Sequence, residues 1–245
     1  PYPMWNEPFY ESCDLIMNIS KQTYNIVNNV WHQYPPEDWQ VTYIPHGINS
    51  ETFKPLSKDD KGYQQFLKES KHPVDYYEFV VFYNARNIRR KLPGDVILAF
   101  STFVDMIPEE KRDKCLLIMH TQPVDENGTD LLSVAEAVAK DKKVQFSSGK
   151  LSPLQLNYLY NMADVTINLA SNEGFGLGTA ESVMAGTPMI VNVTGGMQDQ
   201  CGFRLDGKLL TEKDYTEIHS LHDRKIWENN PKLTHGSWVK PVWPS

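Results

Sequence analysis

The sequence predicts an α/β fold, a doubly wound parallel sheet with helices on both faces. Three observations predict it. Short apolar runs recur along the chain, most too short for helices and several rich in β-branched residues. Their apolarity is nearly continuous, the pattern of strands buried on both faces. Amphipathic stretches fill the intervals and the links are short, as expected where parallel strands are joined through helices.

Taken in order, strands are expected at 13–20 (CDLIMNIS), 41–45 (VTYIP), 79–85 (FVVFYNA), 115–120 (CLLIMH), 144–146 (VQF), 164–170 (DVTINLA) and 188–193 (PMIVNV). The intervals read as helices. One helix-like stretch covers roughly 21–31. Pro93 suits a first helical position, and Val96, Phe100, Phe103 and Val104 follow at helical spacing. Ser152 and Pro153 are a cap-and-start signal, with Leu156, Leu159, Tyr160 and Ala163 on one stripe. A further helix runs to about Ala185, stopped by Gly186 and Pro188. Residues 1–40 are rich in Pro, Trp, Tyr and Asn, and 206–245 are polar with Pro231, Pro241 and Pro244, so the latter is expected to pack as an irregular extension. No internal repeat or low-complexity tract is present.

With 40% hydrophobic and 22% charged residues, the 245-residue chain has the balance of a globular protein. The formal net charge of −7 disfavours non-specific binding to a phosphate backbone, so no nucleic-acid partner is expected. Cys13, Cys115 and Cys201 form no C-x-x-C pair, and the simple reading is a reducing, cytoplasmic setting. No apolar run is long enough to span a bilayer, and no signal-peptide pattern opens the chain. Because it opens at Pro1, inside an aromatic-rich segment, the sequence reads as a fragment, a processed product or an engineered piece.

Ligands of doubly wound folds sit at the carboxyl ends of the strands. The strongest signal there is SNEGFGLGTAESVMAGTPMIV, residues 171–191. Gly174, Gly176 and Gly178 form a loop between a strand and a helix, where backbone N–H groups approach a ligand and the helix N-terminus favours an anion such as a diphosphate. The spacing is G-x-G-x-G rather than G-x-G-x-x-G, which argues against a nicotinamide enzyme. Glu173 and Glu181 stand eight positions apart around this loop. One carboxylate is placed to face a sugar and the other a ribose; the bland alternative is a helix-dipole partner and a turn cap.

This stretch resembles the Glu-x7-Glu motif of glycosyltransferase family 4 and its GT-B relatives. Residues 41–55, VTYIPHGINSETFKP, resemble the family's entry to its second domain, with Gly47 at the cleft. Residues 79–100, FVVFYNARNIRRKLPGDVILAF, resemble its arginine–lysine diphosphate clamp, and 144–170 the segment that holds the base. The ordered set covers roughly 10–200. It implies a Rossmann-like donor-binding domain at 41–205, preceded at 1–40 by a remnant of the acceptor domain and linker and followed at 206–245 by a C-terminal extension.

The resemblance implies a retaining transferase that moves a sugar from a nucleoside diphosphate to a sugar, lipid or protein acceptor. It implies no cofactor and no metal ligands, and a UDP-sugar is favoured over a GDP-sugar. Arg86, Lys91 and Glu173 are the expected catalytic residues. Gly47, Asn84, Arg86, Lys91, Lys150, Leu151, Glu173, Gly174, Phe175, Gly176, Leu177 and Glu181 are the expected donor contacts. Arg supplies a planar fork for phosphate oxygens and Lys a point charge; Arg89 and Arg90 are the neighbours most easily confused with them. The base is expected against backbone near 145–151. Because most of the acceptor half has no counterpart in the sequence, a partner chain or self-association is expected to complete the cleft. A non-catalytic nucleotide-sugar module, and a GT-B epimerase or phosphorylase, are the alternatives.

The sequence departs from the family pattern at three places. Ala85 and Leu92 stand where glycines usually flank the arginine and lysine, and read as tolerable strand-end changes. GGMQD at 195–199 places Asp199 where the family's loop carries Glu, keeping the charge. Among weaker candidates, His120 reads as a rim histidine, His46 as a chain turn, and HSLHD (His219, His222, Asp223) as a solvated segment rather than a metal site.

Overall fold

The apolar runs do become strands, and their alternation decides which helices cover them. In the computed structural model, which describes residues 6–31, 34–69, 76–214 and 227–243, the elements follow in order. They are α1 (Glu7–Glu11), β1 (Ile16–Asn18), α2 (Lys21–Val30), β2 (Val41–Tyr43), α3 (Lys61–Glu69), β3 (Phe79–Asn84), α4 (Pro93–Met106), α5 (Glu109–Arg112) and β4 (Cys115–His120). Next come α6 (Leu131–Val138), β5 (Val144–Ser147), α7 (Pro153–Met162), β6 (Val165–Asn168), α8 (Leu177–Met184), β7 (Met189–Asn192) and α9 (Gly195–Gln200). The last are β8 (Arg204–Leu205), β9 (Lys208–Leu209), β10 (Leu233–Thr234) and β11 (Val239–Val242).

The main sheet has six strands in the order β11-β7-β6-β3-β4-β5, every neighbouring pair parallel. The chain winds from β3 out to β5, crosses back to β6 on the other side of β3, and winds out again. Strand order therefore reverses between β3 and β6, and this crevice is the switch point where doubly wound folds take ligands. Val80, Phe82, Leu116 and Ile118 pack with Leu159 and Tyr160 of α7 and Ala185 on one face. Val81, Tyr83, Leu117 and Met119 meet Val96, Ile97, Phe100 and Val104 of α4 and Leu131 of α6 on the other. Successive residues thus point to opposite faces, both dry, as the continuous apolarity requires.

The run at 13–20 is strand only over Ile16–Asn18, because Ser20 turns the chain into α2. Ser20 is buried and forms a reciprocal capping box with Thr23. β1 pairs with β2 in a separate two-stranded parallel sheet, packed with α2 around Val27, Trp31 and Val41.

The expectation of an irregular extension is corrected at the sheet edge. β11 pairs with β7 from Val239↔Met189 to Val242↔Asn192, and β10-β8-β9 form a small antiparallel sheet before it. Pro241 hid this strand in the sequence, since proline interrupts a central strand; at an edge its missing N–H costs little. Among the described residues no helix is long and apolar enough to cross a membrane. The HSLHD segment lies outside the described residues.

Candidate functional site

The crevice between β3 and β6 gathers most of the expected residues. β3 ends at Asn84 and the chain continues through Arg86 into a single 3-10 turn, Arg89–Lys91. β6 ends at Asn168 and leads into the loop carrying Glu173. The two loops are tied together: Ser171 N–H donates to the Arg90 carbonyl at 2.8 Å. The Lys91 ammonium pairs with Glu173 Oε2, and both side chains are largely buried. Arg90 adds a longer contact to the same oxygen at 3.5 Å and donates to the Asn172 carbonyl at 2.9 Å. Lys91 and Glu173 are thus brought together, with Arg90 as a third member.

Arg86 points elsewhere. Its Nε donates to Asp125 Oδ2 at 3.2 Å, and its side chain is 64% exposed. The Asp125 carboxyl is lowered from its ordinary value, first by the Asn127 backbone N–H and then by Arg86. The loop bearing Asp125 is fixed by Asn87, a buried amide in the clamp segment that donates to the Gln122 and Thr129 carbonyls and accepts from Thr129 N–H.

Glu181 faces inward. Its Oε2 accepts from the Tyr160 hydroxyl at 2.9 Å, and that hydroxyl accepts from Asn84 Nδ2 at 2.9 Å. Burial raises the Glu181 pKa, partly offset by the Tyr160 hydrogen bond, while Tyr160 is pushed well up by burial and by the Glu181 charge. Asn84 and Glu181 are therefore joined through a residue that sequence reasoning had placed only on a helix stripe.

The loop itself is shaped by close approach. Gly176 is the α8 N-cap at φ +88°, and its carbonyl accepts from Thr179 Oγ1 at 2.8 Å. Phe175 is buried, with the His46 ring edge-on to it at 5.2 Å, so the turn at 46–47 lies beside the glycine loop. Gly47 is exposed with open space around it, and Leu177 is exposed as well. A Cβ on Gly174 would meet the Ile19 side chain at 3.3 Å. The unpaired N–H groups of the first turn of α8 give this end of the crevice the partial positive charge that suits a diphosphate.

A pocket of about 240 Å3 opens over the ends of β3, β4 and β5. It is lined by Asn84, Arg86, His120, Thr121, Ser147 and Gly149, among others. His120 Nδ1 lies 3.1 Å from Ser147 Oγ, and burial lowers its pKa. Lys150 is exposed just beyond this wall, and Leu151 packs against the core rather than lining the pocket. Among the described residues no group of three His, Cys, Asp or Glu is placed to hold a metal ion.

Residues 65–233 match the family described as Glycosyl transferases group 1. The alpha-monoglucosyldiacylglycerol synthase of Acholeplasma laidlawii is 27% identical over 186 residues, which are 76% of this chain and 43% of that protein. The chain therefore spans less than half the length of this curated relative. The sucrose-phosphate synthase of Thermosynechococcus elongatus shares the fold at a TM-score of 0.62 and 20% identity, over 91% of this chain and 52% of that one. Anabaena HepE, solved in complex with UDP and glucose, does so at a TM-score of 0.59 and 17% identity, over 89% of this chain and 55% of that one. With a family match spanning well over half of its length, this chain belongs to the group 1 glycosyl transferases, in their GT-B fold.

Proposed function

We propose that this chain binds a nucleoside-diphosphate sugar, a UDP-sugar in preference to a GDP-sugar, as the donor half of a retaining glycosyltransferase. The observation that carries the reading is the meeting of Lys91, Arg90 and Glu173 at the strand-order reversal, with Arg86 on the rim of the adjoining pocket. The likeness to a protein solved with UDP and glucose supports the uridine donor.

In this reading the diphosphate lies between the first turn of α8 and the clamp. As the bond from the anomeric carbon to phosphate oxygen breaks, negative charge grows on the leaving diphosphate, and Lys91 opposes it from its place in the clamp while Arg86 turns to it from its pairing with Asp125. Glu173 exchanges part of its pairing with Lys91 for the donor sugar's hydroxyls. Glu181, held by Tyr160, takes the ribose, and the base occupies the pocket over β3, β4 and β5. The sugar passes to an acceptor hydroxyl with its anomeric configuration kept.

Calorimetric titration of the chain with UDP, GDP and ADP, repeated on Arg86→Ala and Glu181→Ala, tests this. Binding of UDP ahead of GDP, weakened in both variants, is expected. A folded chain that binds none of the three overturns the donor reading.

A further inference from the structure

The GGMQD segment has a place in the structure that the donor reading does not use. Gly195 and Gly196 press α9 onto the Glu173–Phe175 backbone so closely that a Cβ on Gly195 would fall on the Glu173 carbonyl oxygen, and one on Gly196 on the Phe175 backbone. Gly196 N–H donates to the Glu173 carbonyl at 3.0 Å. At the other end of α9, Gln200 Nε2 donates to the carbonyls of Phe175 and Gly176 at 2.7 and 3.0 Å. Three successive stations of the glycine loop therefore hang on one short helix.

That helix is gripped from its opposite side by the first segment of the chain. Asp199 Oδ2 accepts the backbone N–H of Lys21, the first residue of α2, at 2.9 Å. Gln22 Oε1 accepts the Gly195 N–H at 2.7 Å. The Tyr43 hydroxyl of β2 stands near enough to the carboxylate to lower its pKa. Lys21 Nζ donates to the Leu210 carbonyl at 2.7 Å, so the chain beyond α9 closes over the same junction.

We infer that Asp199 is a positioning residue: with Gln22 it locks the glycine loop at 173–176 to α2 and β2, so that the two cannot move independently. The functional weight of this lock rests on the donor reading of the loop; the mechanical coupling does not. A carboxylate that merely capped α2 would stabilise residues 20–25 and nothing else. A lock transmits, because every hydrogen bond from α9 to the loop shares the helix that Asp199 anchors.

Hydrogen exchange on the full chain separates the two, reading segments 20–25 and 173–178 against strand 115–120 as the reference. Asp199→Ala is expected to speed exchange about fivefold in both the first and the second segment, the effect of one lost hydrogen bond, while the reference is unchanged. Asp199→Asn, which keeps an acceptor oxygen, is expected to restore most of the protection. Gln22→Ala, at a half-buried position, is expected to loosen 173–178 without unfolding anything. A rise confined to 20–25, or, where Asp199→Ala unfolds the whole chain, a 173–178 segment indifferent to Gln22→Ala, overturns the proposal. UDP titration of the same proteins is the second arm. A weaker UDP affinity in Asp199→Ala, restored by Asp199→Asn, is the expected companion result. Wild type that binds no UDP removes the donor reading and leaves the exchange data to decide the coupling alone.

Discussion

The Tyr160 hydroxyl donates to Glu181 across 2.9 Å inside the core, and the same oxygen takes the Asn84 amide from the end of β3. One phenol thus fixes two expected donor contacts drawn from opposite sides of the strand-order reversal. Tyr160→Phe keeps the ring and removes the oxygen. It leaves a half-buried carboxylate and an amide without their shared partner, which costs about 1–3 kcal/mol. An unfolding free energy from urea titration lowered by that amount, with UDP affinity reduced, is the expected result. The Glu181 pKa, already raised by burial, rises further because its compensating hydrogen bond is gone.

Asp125 pairs with Arg86 at 3.2 Å on the rim of the pocket where the diphosphate donor is proposed to bind. Replacing it by Asn removes a negative charge beside the site of an anionic ligand. UDP affinity is expected to rise several-fold at low salt, and the gain to shrink as ionic strength increases, since exposed charges are screened. Thermal stability should hardly change. A fall in UDP affinity would mean instead that Asp125 holds Arg86 in its working position.

Burial lifts the Asp199 carboxyl to about 6, against the opposing pull of the Lys21 backbone N–H, the Lys21 charge and Tyr43. The neighbouring Cys201 thiol is pushed up to about 12 by burial and by that charge. Glu212 and Asp214 act on the same junction through Lys21 and Tyr43. A carboxyl raised on folding binds its proton in the folded state first. The contribution of Asp199 to stability therefore grows as pH falls from above 6 towards 4, and its ionised form is a burden above that window. Asp199→Asn removes this dependence. The stability difference between pH 7.5 and pH 4.5 should shrink by about 2 kcal/mol relative to wild type in paired urea titrations. An unchanged difference would show that the carboxylate keeps its solution pKa.

Leu92 takes the left-handed region at φ +50° immediately before α4. A side chain there strains the backbone by about 1–2 kcal/mol. Leu92→Gly is expected to raise stability by about 1 kcal/mol, the remainder being lost to the greater freedom of glycine when unfolded. A melting temperature that falls would assign the half-buried Leu92 side chain a packing role that outweighs the strain.

Leu92 also marks how far the sequence could be read. Ala85 and Leu92 looked alike as departures from a glycine pattern, yet Ala85 adopts ordinary backbone and packs on the core while Leu92 is strained. A residue name does not carry its φ. Five of the six strands of the main sheet and the glycine loop were legible because their signals are local: continuous apolar runs, glycines between strand and helix. Lys91 and Glu173 were legible only as separate members of a resemblance, and their ion pair was not legible at all. Tyr160 was not, because its meaning comes from partners 76 and 21 positions away, and a buried tyrosine on a helix stripe looks like any other core residue. β11 was hidden by Pro241, which only the strand's edge position excuses.

That edge strand also sets an order of events. Val239 meets Met189 across the whole small sheet β8–β10, so the last position of the main sheet is filled by a contact far apart in sequence. While the chain is being made, β7 emerges with one flank bare, its main-chain donors and acceptors open to any extended segment nearby. Contacts of long sequence separation form late, and a bare strand flank is where neighbouring chains adhere. The interval between synthesis of Asn192 and arrival of Val239 is thus a period in which a nascent chain is exposed to misassembly at β7, and slowing translation there would lengthen it.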